Sequence, residues 1–453
     1  MLKLSFITNK FIFNNIIKLL LIICIYSYFS LSKCFGILKI DVNKGHFEPL
    51  PIAIQTFTPI NSESNGISST LTKIVSDDLE SSGLFKPIND SAFPEVVDFS
   101  NRPNFEKWRK INVNALLVGK VEVIPQEQAV KLMFRIWDVY SEKQLEAMIY
   151  KIKYTSWRRL AHKVADKIHY KITGDSGYFD SHIVYISETG SGKNRKKRLA
   201  IMDQDGNNLR YLSDDNNIVI TPRFDPKNNR IAYMSYYKRV PQVFVIDILT
   251  GIKTKIGDFQ GMSFAPRFAP DGKTMAMSVA KNGSTSIYEV DILNKVNGGG
   301  MRRLTNDNGT ISTSPSYSPD SSKIVYSSDR EGRSQLYIMN RDGTNSYRIS
   351  SGDGTYATPV WSPRGDYIVF TKIKSGQFFI GIIKPDGTDE RIMTSSWLEE
   401  GPDWAPNGRA IIFTRQERGK GSKICAIDIT GYGERIINTE TSASDPAWSP
   451  LLP

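Results

Sequence analysis

Side chains able to do chemistry are sparse and scattered along this 453-residue chain. The four histidines, His46, His162, His169 and His182, have neither metal-ligand spacing nor cysteine partners, so the pattern gives no reason to expect zinc. His162 sits in a helical pattern and reads as a helix-surface or interface residue. Asp205-Gly206, Asp342-Gly343 and Asp386-Gly387 lack the alternating oxygens of a calcium loop and read as turns. Gly190-Ser191-Gly192-Lys193-Asn194 approaches a phosphate loop, but Ser187 stands where the first glycine belongs and Asn194 where Ser or Thr is required. There is no G-x-S-x-G nucleophile elbow. An enzyme would have to rest on Glu399, Glu400 and Asp445, without a histidine beside them in sequence. The expectation is a non-enzymatic binding protein with no catalytic residue, no metal, no cofactor and no small-molecule substrate.

The length suggests two domains plus a targeting segment. Lys3, Lys10 and Lys18 precede an apolar run from Leu19 to Tyr28, shorter than the ~20 residues of a membrane span, so residues 1–36 read as a secretory signal peptide cut near Gly36. Cys34 brushes against a lipoprotein signal, but Lys33 occupies the place of a small residue. Losing the leader's four lysines lowers Lys plus Arg from 58 to 54 against 47 acids, a net +7, dispersed in a way that points to no nucleic-acid partner. The cluster Lys193, Arg195, Lys196, Lys197 and Arg198 reads as a solvated hairpin tip. Cys425 alone survives the cut, so no intrachain disulfide can form.

A proline-x-aromatic-x-proline element recurs six times, as Pro222-Arg223-Phe224-Asp225-Pro226 and then at Pro266–Pro270, Pro315–Pro319, Pro359–Pro363, Pro402–Pro406 and Pro446–Pro450. The steps between second prolines are 44, 49, 44, 43 and 44 residues, the size of a four-stranded propeller blade. Each copy is followed by a polar turn and an alternating strand such as Ile231-Ala232-Tyr233 or Ile368-Val369-Phe370. Ile183-Val184-Tyr185 has no such element before it, and Pro446–Pro450 has no blade after it. They complete one another, which predicts six blades closed into a ring by the C-terminal strand, so that no sheet edge is left free. The 49-residue step contains Asn297-Gly298-Gly299-Gly300, read as a lengthened hairpin loop.

Residues 37–176 lack the repeat. Pro51–Phe57 reads as a strand, Leu71, Ile74, Val75 and Leu79 as a helix face stopped by Gly83, and Ala115–Ile124 with Val130–Val139 as a hairpin. Trp157, Leu160, Ala161, Val164, Ile168 and Ile172 form a last helical stripe ended by Gly174. The fold class is mainly β, an α/β N-terminal domain (37–176) followed by a six-bladed β-propeller (177–453).

With Asp77-Asp78-Leu79, Ser82-Gly83-Leu84-Phe85, Phe134-Arg135-Ile136 with Asp138, Ala161-His162, Lys171-Ile172-Thr173-Gly174 and the terminal Pro446–Pro450, the chain resembles the TolB family over almost all of the mature sequence. The resemblance implies a periplasmic protein of the Tol-Pal cell-envelope system that supports outer-membrane integrity and constriction at division, touching membranes only through partners. It implies binding of the lipoprotein Pal through the propeller. It also implies a switch segment at the mature N-terminus that docks back on the protein or engages the inner-membrane protein TolA, here Ile37, Leu38, Lys39, Ile40, Asp41 and Val42; Asn43–Phe47 after it departs from the family's acidic, glycine-bearing stretch. The residues themselves suit an extended peptide added to a partner's sheet and, equally, the first strand of the domain.

The residues just before each repeat element are expected to enter the innermost strand and so to rim one mouth of the central channel, where six such loops converge, and Thr221, Phe264, Thr313, Thr358, Glu400 and Asp445 are the candidate partner contacts. An exported propeller enzyme and a carbohydrate-binding propeller are the alternatives. The first needs clustered carboxylates or histidines at the mouth, the second exposed aromatic rings.

Overall fold

A computed structural model of the chain describes residues 48–453 apart from 215, 228, 238–239, 257–260, 293–299 and 307–308. The leader and the segment Ile37–Val42 lie outside the described residues, as does most of the loop at 297–300.

The N-terminal domain is one mixed sheet with helices on its faces. Its strands are β1 (Leu50–Ile54), β2 (Thr58–Pro59), β3 (Phe85–Pro87), β4 (Ala115–Ile124), β5 (Ala129–Asp138) and β6 (Lys143–Lys153), in the order β3-β1-β4-β5-β6 with β2 against β4. The helices are α1 (Asn65–Ser81), α2 (Phe105–Lys110) and α3 (Arg158–Thr173). β1 is parallel to both neighbours because the α1 crossover returns the chain in the same direction. The expected apolar stripes do face inward: Leu71, Val75 and Leu79 of α1 and Leu160, Val164, Ile168 and Ile172 of α3 are wholly buried. Gly174 ends α3 at φ 82°. The expected hairpin is the first part of a three-stranded meander, since β6 pairs along β5 and was not foreseen.

The rest is a ring of six four-stranded sheets. The innermost strands are Val219–Phe224, Met262–Phe268, Ser312–Tyr317, Thr355–Trp361, Leu398–Trp404 and Ser442–Trp448. The sixth sheet is composite: Ser442–Trp448 pairs with β7 (His182–Thr189), which continues into β8 (Lys196–Asp203) and β9 (Arg210–Tyr211). The ring thus closes with the C-terminal strand, as the unmatched repeat ends require. Trp448 anchors the closure, 4% exposed, its ring edge-on to Tyr178 with centroids 5.3 Å apart. The basic hairpin tip joins β7 to β8, where Lys197 pairs with Glu188 at 2.9 Å and Arg198 lies over the Tyr211 ring.

One apolar cluster runs without a break from Leu71, Phe134 and Ile168 of the N-terminal domain to Tyr185, Met202, Ile412 and Trp448 of the propeller. Polar bonds frame this junction: Arg435 donates to the Ser81 carbonyl at 2.9 Å, Asn407 to the Ser176 carbonyl at 2.8 Å, and Arg159 pairs with Asp180. Among the described residues no helix is long and apolar enough to cross a membrane.

Candidate functional site

The six candidate positions lie within the innermost strands that they were expected to enter, rather than in loops ahead of them. In every blade the register with the second strand breaks just before the repeat element: between Ile220 and Arg223, Phe264 and Arg267, Thr313 and Ser316, Ala357 and Val360, Glu400 and Asp403, and Ser444 and Ala447. Each break is a β-bulge whose second unpaired residue is a proline. A proline is tolerated because the innermost strand is the edge of its sheet, so its missing N–H leaves no ladder acceptor unmet. The residue before that proline is left-handed in all six blades: Thr221 (φ 50°), Ala265 (49°), Ser314 (55°), Thr358 (45°), Gly401 (62°) and Asp445 (51°). Five of these six carry a side chain, each held against about 1–2 kcal/mol of strain. At the bulge, consecutive side chains cannot alternate between faces, so pairs such as Thr313 and Ser314 or Ala357 and Thr358 are both half-buried beside the channel. Thr221, Phe264, Thr313, Thr358, Glu400 and Asp445 all keep solvent access there.

Neighbouring blades are stitched at this level. The Thr221 N–H lies 3.4 Å from Asp445 Oδ2, the Asp445 N–H donates to Thr414 Oγ1 at 2.9 Å, and the Thr313 and Ser278 hydroxyls meet at 3.0 Å. Thr358 shares a hydrogen bond with Thr371 within its own blade. Thr221 Oγ1 is buried without a hydrogen-bond partner. Loss of hydration in the channel and the nearby Asp445 push the Glu400 carboxyl above the usual carboxylate range. Glu399, counted among the possible catalytic acids, points away: it is fully buried and accepts from Arg415 and Thr394 at 2.6 Å each. The repeat aromatics Phe268, Tyr317, Trp361, Trp404 and Trp448 are buried, not displayed on a face.

Below the bulges, Arg267 of the second blade reaches Asp403 of the fifth at 3.0 Å. Arg223 is buried beside Arg267, and burial together with that like charge pushes its guanidinium down to about 10. Arg267 borders both a small cavity of about 50 Å³ under Thr221, Ala265, Ser314 and Thr358 and a funnel of about 340 Å³ lined by the repeat aromatics and prolines. Sequence reasoning missed this pair. Its signal is the second position of the repeat element, occupied by Arg267 and, three blades on, by Asp403.

Comparison with known proteins places the whole arrangement. The TolB amino-terminal domain family matches residues 38–145, and the TolB beta propeller domain family matches 169–452. The chain is 41% identical over 421 residues to the Tol-Pal system protein TolB of Gluconobacter oxydans, covering 92% of this chain and 89% of that one. It is 46% identical over 447 residues to the Tol-Pal system protein TolB of Rickettsia bellii, covering 95% and 99%. The crystal structure of TolB from Acinetobacter baumannii superposes with a TM-score of 0.78 at 24% identity, over 91% of this chain and all of that one, and so shares the fold. With both domains matched in order and close identity along nearly the full length, the chain belongs to the TolB family of Tol-Pal system proteins.

Proposed function

We propose that this protein is a periplasmic, non-catalytic binding component of the Tol-Pal system, with the propeller channel as the docking site for the lipoprotein Pal. The observation that carries the reading is the ring of six left-handed bulges around one opening, at or beside which the six candidate side chains keep solvent access. Strain of this kind persists where the surroundings over-determine it, and it collects at ligand-binding surfaces. Thr221, Phe264, Thr313, Thr358, Glu400 and Asp445 are the contacts, and convergence from six blades gives one partner segment many anchors. Residues 37–42 are the switch toward TolA, free in one state and docked in the other. In this role the protein supports outer-membrane integrity and envelope constriction at division.

The test is a calorimetric titration of residues 37–453 against the periplasmic domain of a Pal lipoprotein, repeated with residues 37–42 deleted and with Thr313→Arg and Thr358→Arg. Binding that changes on deletion and is abolished by either arginine, with thermal unfolding unchanged, is the expected result. Affinity indifferent to both arginines removes the channel assignment, and no binding by any form removes the partner.

A further inference from the structure

Where the N-terminal domain meets the sixth blade, a buried polar cluster brings together residues far apart in sequence. His162 of α3 and Asp78 of α1 are each 2% exposed, with His162 Nδ1 2.7 Å from Asp78 Oδ2. The other Asp78 oxygen accepts from Gln204 Nε2 at 2.7 Å, which fixes the carboxylate in place. The Asp78 carboxylate fixes the ring through its Nδ1 hydrogen; burial opposes a charge on it, but Asp78, Asp205 and Asp203 outweigh that and push the imidazole up to about 9, so an entering cation must displace the Nε2 proton. Nε2 has no hydrogen-bond partner and points at the propeller, 4.0 Å from Asp205 Oδ2. One donor atom from each of His162, Asp203 and Asp205 lies within 4.8 Å of the others. Asp203 is held by His182 Nε2 at 3.4 Å and by Asn208 at 2.6 Å.

We propose that His162 Nε2, Asp203 and Asp205 form a site for a divalent transition-metal cation of the zinc class, bridging the two domains. One imidazole and two carboxylates are a donor set such cations take, and the Asp78-His162 pair supplies the carboxylate–histidine arrangement that orients a metal-binding ring. Ligands about 2.0–2.2 Å from an ion would have to draw closer together than they now stand. The obstacle is Arg158, which pairs with Asp205 and places Nε 3.9 Å from Asp203 Oδ2. It is the cluster's resident counter-ion and must yield a carboxylate oxygen when the cation enters. Sequence spacing hides the site because one ligand comes from the first domain and the other two from the end of β8 and the turn after it. A cation held there fastens the domains to each other.

The experiment uses the chelator-treated full chain titrated with zinc chloride, followed calorimetrically and by the ¹⁵N shift of His162 Nε2. The expected result is one zinc per chain, a thermal midpoint raised by zinc, and an Nε2 shift to the metal-bound range. Asp205→Asn, in an accessible turn, is expected to weaken binding by about tenfold or more. Arg158→Gln is expected to tighten it by freeing the carboxylates. His162→Gln is expected to abolish it, with circular dichroism checking that this variant folds. The absence of zinc binding by the unmodified chain, or binding of equal affinity in the Asp205→Asn and Arg158→Gln variants, overturns the proposal.

Discussion

Arg267 Nη1 and Asp403 Oδ1 stand 3.0 Å apart although their strands lie on opposite sides of the ring, in the second and fifth blades. The second Asp403 oxygen accepts from the Trp448 N–H at 3.1 Å, so the ion pair is also tied to the closing strand. Both side chains are mostly buried, at 17% and 9% exposure. Removing one member strands the other charge, so Asp403→Leu or Arg267→Met alone is expected to cost about 3–5 kcal/mol. The double variant is expected to cost less than the sum. Urea unfolding of the four members of this cycle measures the coupling, and additive losses would mean that the pair does not act across the channel.

Trp448 is the largest side chain of the closing strand, and its Nε1 donates to Ser181 Oγ at 2.9 Å. Trp448→Ala is expected to destabilise the protein by about 3–5 kcal/mol, through lost burial and the cavity left behind. Calorimetric melting tests this, and a shift of the midpoint within error would show that closure does not depend on the ring.

Two glycines are constrained for different reasons. At Gly401, φ is 62° and an added Cβ would meet nothing nearer than Asp445 Oδ1 at 3.6 Å, so Gly401→Ala is expected to cost only the left-handed penalty, about 1–2 kcal/mol. At Gly119 the Cβ would come within 2.7 Å of the Phe57 ring and 2.9 Å of the Met133 carbonyl. Gly119→Ala is therefore expected to be the more damaging of the two when their denaturation midpoints are compared.

His169 is buried in α3 and donates through Nδ1 to the Asp175 carbonyl at 3.0 Å. Burial, with a further push from Arg409 and against the pull of Asp175, brings its imidazole down to about 4. The unfolded chain then takes up a proton before the folded one does. Its contribution is complete above pH 6.5 and is lost as pH falls from 6.5 toward 4. Asp166, raised to about 7 by burial, acts in the opposite sense over nearly the same interval, since its contribution is lost as pH rises. Comparison with His169→Asn, which keeps a donor for Asp175, isolates the histidine. The variant should lose about 3 kcal/mol less than the unmodified protein between pH 6.5 and 4. Parallel stability profiles would rule out a neutral buried imidazole.

The propeller was legible because each blade repeats one local grammar of proline, aromatic, turn and alternating strand, and because the two incomplete ends fit each other. The bulges were not. The prolines mark the innermost strand without showing where its ladder breaks, and only its position at a sheet edge makes them harmless. β6 escaped notice although Met148, Tyr150 and Ile152 turn one half-buried face to the core, because Ile149 stands among the lysines on the exposed face and blurs the contrast between the two. The junction cluster was invisible for a different reason. Asp78, His162 and Asp205 become neighbours only after both domains fold and dock, and no spacing rule reaches across that distance.

Pairing Ser442–Trp448 with β7 joins Ser442 to Glu188 and Trp448 to Ile183, the longest-range strand pairing in the ring. Five sheets can assemble from consecutive hairpins while the chain is still growing, but the sixth waits for Ser442–Trp448. Until they arrive, β7 presents a bare edge and its blade has no inner wall. Finished and unfinished chains therefore differ in kind rather than in degree. A chain without Ser442–Trp448 would lack one blade's inner strand and the seal of the ring together, so a single strand decides whether the array is open or closed.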